Sequence, residues 1–390
     1  MRILYVSNNI IDDDIVRNAL GALAERDSIY FVHDFTEAEN FITTFLVGQQ
    51  QSLDLIICHN KIFQEVALDF KNKLIVDTLR TYSNRDFNLH KIPIVVLIGA
   101  AENRRMFSRQ GFSDVLTDLG TENIHKYITK FKNPIKIWRK GVLDELDNLG
   151  IKFNSGIIDY SYYFTRVRKF VNTHILSENF QQIPRRLDYY WLIQNQRQIE
   201  MAIDEFVTLL KRTHRLNKKR EEKLYHKFFN RNKSFLLRDN YSRSWYEMEL
   251  PLSATKSLEP DYSLKPNMNY ETDLSILEVK LPNESFVKQR AFHPTLYSKL
   301  IDHLGQVNDY KDYLESDQYQ EILKQKYGWV PEKIEYKLLI GRQDDKEEHR
   351  DILEKRMRHF GQTNIYLMTY DELRDYQVKF LERINLLEVR

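Results

Sequence analysis

Residues 260–264 read Pro-Asp-Tyr-Ser-Leu, and residues 274–280 read Leu-Ser-Ile-Leu-Glu-Val-Lys. The second stretch is an apolar strand that ends in Glu278, Val279 and Lys280. Side chains alternate across a strand, so Glu278 and Lys280 share one face while Val279 points to the other. Asp261 precedes a short apolar run that reads as a neighbouring strand. Two carboxylates and an ammonium at adjacent strand ends can share one divalent cation and address a phosphate. Phosphodiester hydrolysis needs a nucleophilic water, charge neutralisation and support for the leaving oxygen, and a carboxylate-held Mg²⁺ supplies all three. Mg²⁺ keeps several waters and needs only a few carboxylates. The ammonium of Lys280 would orient the water or offset developing negative charge.

The neighbouring elements fit the same sheet. Trp245 to Leu250 alternates like a strand, Asp261 to Leu264 is a second and Asp273 to Lys280 a third. Pro266 to Tyr270 fits a turn, and Pro282 cannot continue a central ladder. A helix is expected from about Thr295 to Leu314, a strand over Ile334 to Ile340, a helix over Asp351 to Arg358, a strand over Ile365 to Met368, and a closing helix over Asp371 to Ile384. Glu222 lies on the preceding helix as a further metal-shell carboxylate, with Glu221 as the fallback. Gln306 and Tyr310, one helical turn apart, face one side of the following helix. Asp273 begins its strand and reads as a turn or edge residue. His226 and His293 are assigned no role, since most lone histidines are not ligands.

The order helix, three strands, helix, strand, helix, with Pro-Asp and Glu-x-Lys in place, is similar to the PD-(D/E)xK nuclease core. Glu-x-Lys alone is a weak signal; its buried setting and the downstream Gln-x-x-x-Tyr strengthen it. Residues from about 215 to 385 further resemble the Shedu antiphage-defence nucleases. The matching pieces are Glu222-Lys-Leu-Tyr-His-Lys-Phe-Phe, Pro260-Asp-Tyr-Ser-Leu, Ile276-Leu-Glu-Val-Lys-Leu-Pro282, His303-Leu-Gly-Gln-Val-Asn-Asp-Tyr310, Lys337-Leu-Leu-Ile-Gly-Arg342 and Ile365-Tyr-Leu-Met-Thr-Tyr-Asp-Glu-Leu373. The resemblance implies a metal-dependent DNA endonuclease or nickase that stops phage. It also implies a homo-oligomer, dimer or tetramer, built through the nuclease domain. Glu222, Asp261 and Glu278 would bind Mg²⁺ (or Mn²⁺), with Lys280, Gln306 and Tyr310 completing the catalytic set. Two alternatives stand beside this reading. One is a DNA- or partner-binding regulator with an inactive nuclease fold; the other is a restriction or repair nuclease of the same superfamily.

The first third of the chain carries a different pattern. Ile3 to Val6, Ile29 to Val32, Leu53 to Cys58 and Ile94 to Gly99 are short apolar runs separated by helix-like stretches. Continuous apolar strands alternating with helices predict a parallel sheet covered on both faces. The order resembles a response-regulator receiver domain, with Gly111 to Asp118 as its fifth strand. The receiver's reactive positions are not matched. His59 stands at the phosphoacceptor aspartate, Ser7 and Asn8 at the acidic pair, and Asp118 at the lysine. Without those groups little remains to hold Mg²⁺ or sense an acyl phosphate. A pseudo-receiver for docking, oligomerisation or sensing is expected, with a spacer domain as the plain alternative. Asp12, Asp13 and Asp14 suit a helix N-terminus better than a metal.

Between these parts, residues from Pro134 to about Phe229 read as helical, punctuated by Gly150, Gly156 and Pro184. The aromatic patches Tyr160 to Phe164 and Tyr189 to Trp191 fit helix packing better than base stacking. The cationic run Lys211 to Arg220 reads equally as a phosphate contact or a solvated helix face. The expected organisation is α/β multidomain: a flavodoxin-like pseudo-receiver at 1–125, a helical middle at 126–215 and a nuclease domain at 216–390.

Bulk composition is permissive. The 390 residues are 42% hydrophobic and 29% charged, which suits folded domains with real cores. Fifty-eight Lys and Arg against 56 Asp and Glu leave a net charge of +2, so nucleic-acid binding would need a local basic surface. The single cysteine, Cys58, excludes an internal disulfide framework. No run is long enough to span a bilayer, and the first residues read as a strand rather than a signal peptide. A cytoplasmic setting without membrane contact is expected.

Overall fold

The computed structural model describes residues 1–7, 13–42, 44, 53–59, 92–100, 104–108, 112–148, 196–211, 218–238, 240–266, 272–288 and 293–387. Asn8, Asp12, both tyrosine-rich patches, Gly150, Gly156, Pro184, Gly111, most of the turn after Pro266 and the centre of the cationic run lie outside the described residues. The chain divides into two compact units, one of residues 1–198 with 379–390 and one of residues 199–378.

The first unit holds a parallel five-stranded sheet. Its strands are β1 (Ile3–Val6), β2 (Ile29–Val32), β3 (Leu55–His59), β4 (Ile94–Ile98) and β5 (Asp114–Thr117), in the order β2-β1-β3-β4-β5. Every residue of β1 to β4 is buried, as continuous apolar runs with helices on both faces require. The reversal of order at β1 and β3 is the receiver-like, flavodoxin-type arrangement read from the sequence. Helices α1 (Asp13–Ala19), α2 (Phe35–Asn40), α3 (Arg104–Ser108) and α4 (Ile128–Asn148) accompany it. Asp13 and Asp14 occupy the first turn of α1, where their charge favours the helix dipole. The end of the chain is part of this unit: buried Arg383 donates to Glu25 at 2.9 Å, and Arg139 donates to the Leu387 carbonyl at 3.3 Å.

The second unit opens with α5 (Gln196–Lys211), α6 (Lys218–Arg231) and α7 (Lys233–Leu237). The described parts of the middle region are thus helical. A mixed sheet follows, built from β6 (Tyr241–Tyr246), β9 (Tyr262–Pro266), β10 (Leu274–Val279), β13 (Ile334–Leu339) and β14 (Ile365–Met368). The order is β14-β13-β10-β9-β6. β10, β13 and β14 run parallel; β9 is antiparallel to β10, and β6 to β9. β7 (Leu250–Ser253) and β8 (Lys256–Leu258) form a small hairpin. β11 (Val287–Lys288) pairs with β12 (Thr295–Leu296). The helices are α8 (Ser298–Leu314), α9 (Gln320–Tyr327), α10 (Gln343–Glu348), α11 (Arg350–His359) and α12 (Tyr370–Leu387).

Every β10 residue is buried. Leu274 and Ile276 pack with Leu300, Leu304, Val307 and Tyr310 of α8. Leu277 and Val279 pack on the opposite face with Tyr225, Phe228 and Phe229 of α6. The central strand is therefore sandwiched between the two helices that bring the remaining site residues.

Several boundaries differ from expectation. The strand read over Trp245 to Leu250 begins instead at Tyr241, which is buried and pairs with Pro266. It stops at Tyr246 because Glu247 turns to a positive φ of 45°. The helix expected from Thr295 starts at Ser298, since Thr295 and Leu296 are taken up by pairing with β11. The hairpin of β7 and β8, and helices α9 and α10, were not anticipated. No described helix is long and apolar enough to cross a membrane.

Candidate functional site

Asp261 lies immediately before β9 and Glu278 is the penultimate residue of β10. The pairing of Leu277 with Tyr262 brings the two acids to one sheet end. Their main chains and side chains interlock. The Val279 N–H donates to Asp261 Oδ2 at 2.7 Å, and the Asp261 N–H donates to Glu278 Oε2 at 3.4 Å. Lys280 donates to Glu278 Oε1 at 2.7 Å. Its ammonium also lies 3.8 Å from Glu222 Oε1. Glu222, rather than the buried Glu221, thus reaches the cluster from α6.

The Lys280 main chain is held independently of its side chain. Its N–H donates to the Leu339 carbonyl at 2.8 Å, and its carbonyl accepts from the Tyr370 hydroxyl.

On the α8 side, Gln306 Nε2 donates to the Tyr310 hydroxyl at 2.6 Å, and that hydroxyl donates to the Glu259 carbonyl at 3.3 Å. Tyr310 also borders Glu278: burial first, then the Glu278 charge, raise its pKa. The pair therefore stands beside the acids. Asp273 does not. Its carboxylate accepts from the Glu332 and Lys333 N–H groups at 3.0 and 3.2 Å, fixing the turn into β13.

The electrostatics follow from burial. The Glu278 side chain is 1% exposed and Asp261 15%. Burial raises the Asp261 pKa, the nearby Glu278 charge raises it further, and the net value is about 8. Burial, and then Glu278, also lift Glu222 against the pull of Lys280. For Lys280, burial works against the ammonium, but Glu278, Asp261 and Glu222 outweigh it and hold its pKa above the ordinary value. One cation thus serves three carboxylates, and Asp261 and Glu222 both resist ionising beside the Glu278 charge.

That imbalance is the test for a divalent metal. The donors are hard oxygens, and a second positive charge would relieve the repulsion between Asp261 and Glu278. Among the described residues no group of three or more His, Cys, Asp or Glu forms a ready cage. Mg²⁺, which takes one or two carboxylates and fills the rest with water and phosphate, does not require one. The residues present fit Mg²⁺.

Two features were missed from sequence. His226 was assigned no role, yet its Nε2 lies 3.8 Å from Asp261 Oδ1, and burial lowers its pKa. The available signal was its position four residues after Glu222, one turn along the same helical face. His303 lies 2.9 Å from Glu284 and contributes to the field at Glu222. Its meeting with Glu284 joins separate elements, and nothing in local spacing reveals it. His293 keeps no assigned role.

In the first unit, His59 ends β3 and meets the Tyr5 hydroxyl and Asp118, with His59 Nδ1 3.3 Å from Asp118 Oδ2. A histidine and an acid thus face each other at the ends of β3 and β5. Beside them, His33 Nε2 lies 3.3 Å from Asp13 Oδ2, and His33 Nδ1 lies 3.0 Å from the Ser7 carbonyl.

Solved structures similar to the chain include response regulators. The phosphorylated cyanobacterial phytochrome response regulator RcpA is 17% identical, with a TM-score of 0.27, over 34% of this chain and 91% of that one. A response regulator from Hahella chejuensis is 17% identical, with a TM-score of 0.26, over 35% and 95%. No curated protein matches the chain. Residues 219–374 match the family described as Shedu protein SduA, C-terminal. That span holds Glu222, Asp261, Glu278, Lys280, Gln306 and Tyr310 together, so every candidate site residue of the second unit falls within the stretch that is similar to the Shedu SduA C-terminal family.

Proposed function

We propose that the second unit is a Mg²⁺-dependent DNA endonuclease or nickase of the PD-(D/E)xK type, acting in antiphage defence. The observation that carries this reading is the convergence of Asp261, Glu278, Lys280 and Glu222 at one sheet end. The family match of residues 219–374 supports the defence role.

Asp261 and Glu278, with Glu222 at the margin, would hold the metal. When bound, Mg²⁺ supplies Lewis-acid neutralisation of the scissile phosphate and an activated water. The protein's own contribution is positional. Val279 and Asp261 main-chain N–H groups fix the two acids, so the ligand set is preorganised. Lys280 brings a permanent positive charge to the phosphate as negative charge accumulates on its oxygens. Tyr310 and Gln306 close the α8 side and place hydrogen-bonding groups next to Glu278. The receiver-like sheet is assigned to docking or sensing, and self-association to the second unit.

The test is incubation of the full chain with supercoiled and linear DNA in Mg²⁺ and in EDTA. Nicking or cutting in Mg²⁺ alone, abolished by Lys280→Ala in a folded protein, is expected. DNA binding without cleavage under every metal condition would instead support a regulator built on an inactive nuclease fold. Protection of expressing cells against phage separates defence from restriction or repair.

A further inference from the structure

Tyr246 closes β6 with 40% of its surface exposed, at the rim of the acidic cluster rather than in the core. Its strand partner is Tyr262, the residue after Asp261. The Tyr246 ring centroid lies 5.3 Å from that of Tyr262 and 5.7 Å from that of His226. Glu247 and Asn230 lie beside its phenol. The next peptide is fixed as well: Glu247 adopts a φ of 45°, and its N–H donates to the Asp261 carbonyl at 3.1 Å. A bulky non-glycine residue is strained there, and such strain concentrates at functional sites. The ring is thus backed by two other rings and tied through the main chain of the next residue to Asp261. Beside it, α6 presents Glu222, His226 and Asn230 as one stripe towards the site, with exposed Lys223 and Lys227 on the adjoining flank.

We propose that Tyr246 is a stacking platform for an unpaired nucleobase next to the phosphate addressed by Lys280, with Lys223 and Lys227 contacting neighbouring phosphates. This deepens the nuclease reading and rests on it. Within a duplex, away from its ends, both faces of each base are covered by its neighbours. A fixed aromatic face can therefore engage only a base that is already unstacked. Single-stranded, frayed or overhanging DNA is the substrate class this rim selects. An aromatic platform is sequence-tolerant, since every base offers a π face.

The test uses the full chain carrying Lys280→Ala, in EDTA, so that nothing is cut. Single-stranded oligonucleotides, overhang duplexes and covalently closed duplexes without ends are titrated by fluorescence anisotropy, with 2-aminopurine scanned through the single strand. Adding Tyr246→Ala should weaken single-strand binding about 5- to 150-fold, the range of one lost base stack. It should also abolish a position-specific 2-aminopurine quench, while closed-duplex binding changes less than about twofold. Tyr246→Phe, which keeps the ring, should stay within about threefold and retain the quench. Tyr246→Leu, which keeps apolar bulk, should behave like the alanine variant. Joint Lys223→Ala and Lys227→Ala should weaken binding and flatten its salt dependence.

Equal single-strand affinity for Tyr246→Ala and its parent, equal losses on closed duplex, or no binding to any DNA would overturn the proposal. Cleavage by the unsubstituted chain is scored separately. Tyr246-dependent quenching without cleavage in Mg²⁺ retires the nuclease reading and keeps the platform. Cleavage indifferent to Tyr246 retires the platform alone.

Discussion

Asp261→Asn should make the metal-free protein more stable at alkaline pH while removing its activity. In the folded chain the Asp261 carboxyl titrates near 8 rather than at its ordinary 3.8, first because it is buried and then because Glu278 is beside it. The folded state therefore keeps a proton that the unfolded chain gives up as pH rises past about 4. Stability is lost progressively from there until about pH 8, where the folded state releases the proton too, and the penalty is then constant. About four pKa units at 1.36 kcal/mol each set a ceiling of roughly 6 kcal/mol. Part of this is relieved by Lys280, and strongly coupled acids share protons, so a gain of about 2–3 kcal/mol is the working figure. The asparagine carbonyl oxygen can still accept from Val279 N–H, so the substitution removes charge without stranding a donor. In a domain of this size that gain corresponds to a Tm rise of about 4–12 °C. Calorimetry in EDTA at pH 8.5 and pH 4.5 measures it: a clear rise is expected at the higher pH and almost none at the lower. Millimolar Mg²⁺ should stabilise the unsubstituted protein at pH 8.5 and leave the variant unmoved. A variant at pH 8.5 no more stable than its parent would refute the crowded-charge account of the site.

Three further outcomes follow from named contacts. Glu222→Gln should lower cleavage at limiting Mg²⁺ and be partly rescued by raising it, whereas Glu221→Gln should leave the metal dependence unchanged; metal titrations of initial rates separate the two. Tyr310→Phe removes a donor to the Glu259 carbonyl and the acceptor for Gln306, so it should cost about 1 kcal/mol in urea unfolding and about tenfold in cleavage rate. Arg383→Ala removes the buried partner of Glu25 within the first unit and should destabilise that unit by about 3 kcal/mol, readable as hydrogen exchange in β1 and β2.

Much of the fold is legible because its strands are extreme cases. β1 and β4 are apolar throughout and β3 is so up to His59, which a strand buried on both faces explains, and β14 was delimited to the residue. The Glu278–Lys280 geometry is legible for a similar reason: a period of two admits one arrangement, and the side chains meet at 2.7 Å. What local pattern cannot carry is competition for a backbone. Thr295 and Leu296 read as the start of a helix, but β11, seven residues upstream, claims them. His303 acquires meaning only from Glu284, which approaches through tertiary packing, and His226, although one turn from Glu222, meets Asp261 from another element. The strained Glu247 has no sequence signature at all, since its φ is set by the hydrogen bond to the Asp261 carbonyl.

The two hydrogen bonds on the Lys280 peptide, from its N–H to Leu339 and to its carbonyl from Tyr370, have a kinetic meaning. They anchor the root of the side chain while leaving its four-carbon arm to swing. Exchanging Glu278 for a phosphate oxygen then asks only for bond rotations along that arm, with no rearrangement of the strand. A reagent mounted this way is permanently cocked. On the nuclease reading proposed above, Lys280 therefore needs no assembly step of its own before it meets a phosphate.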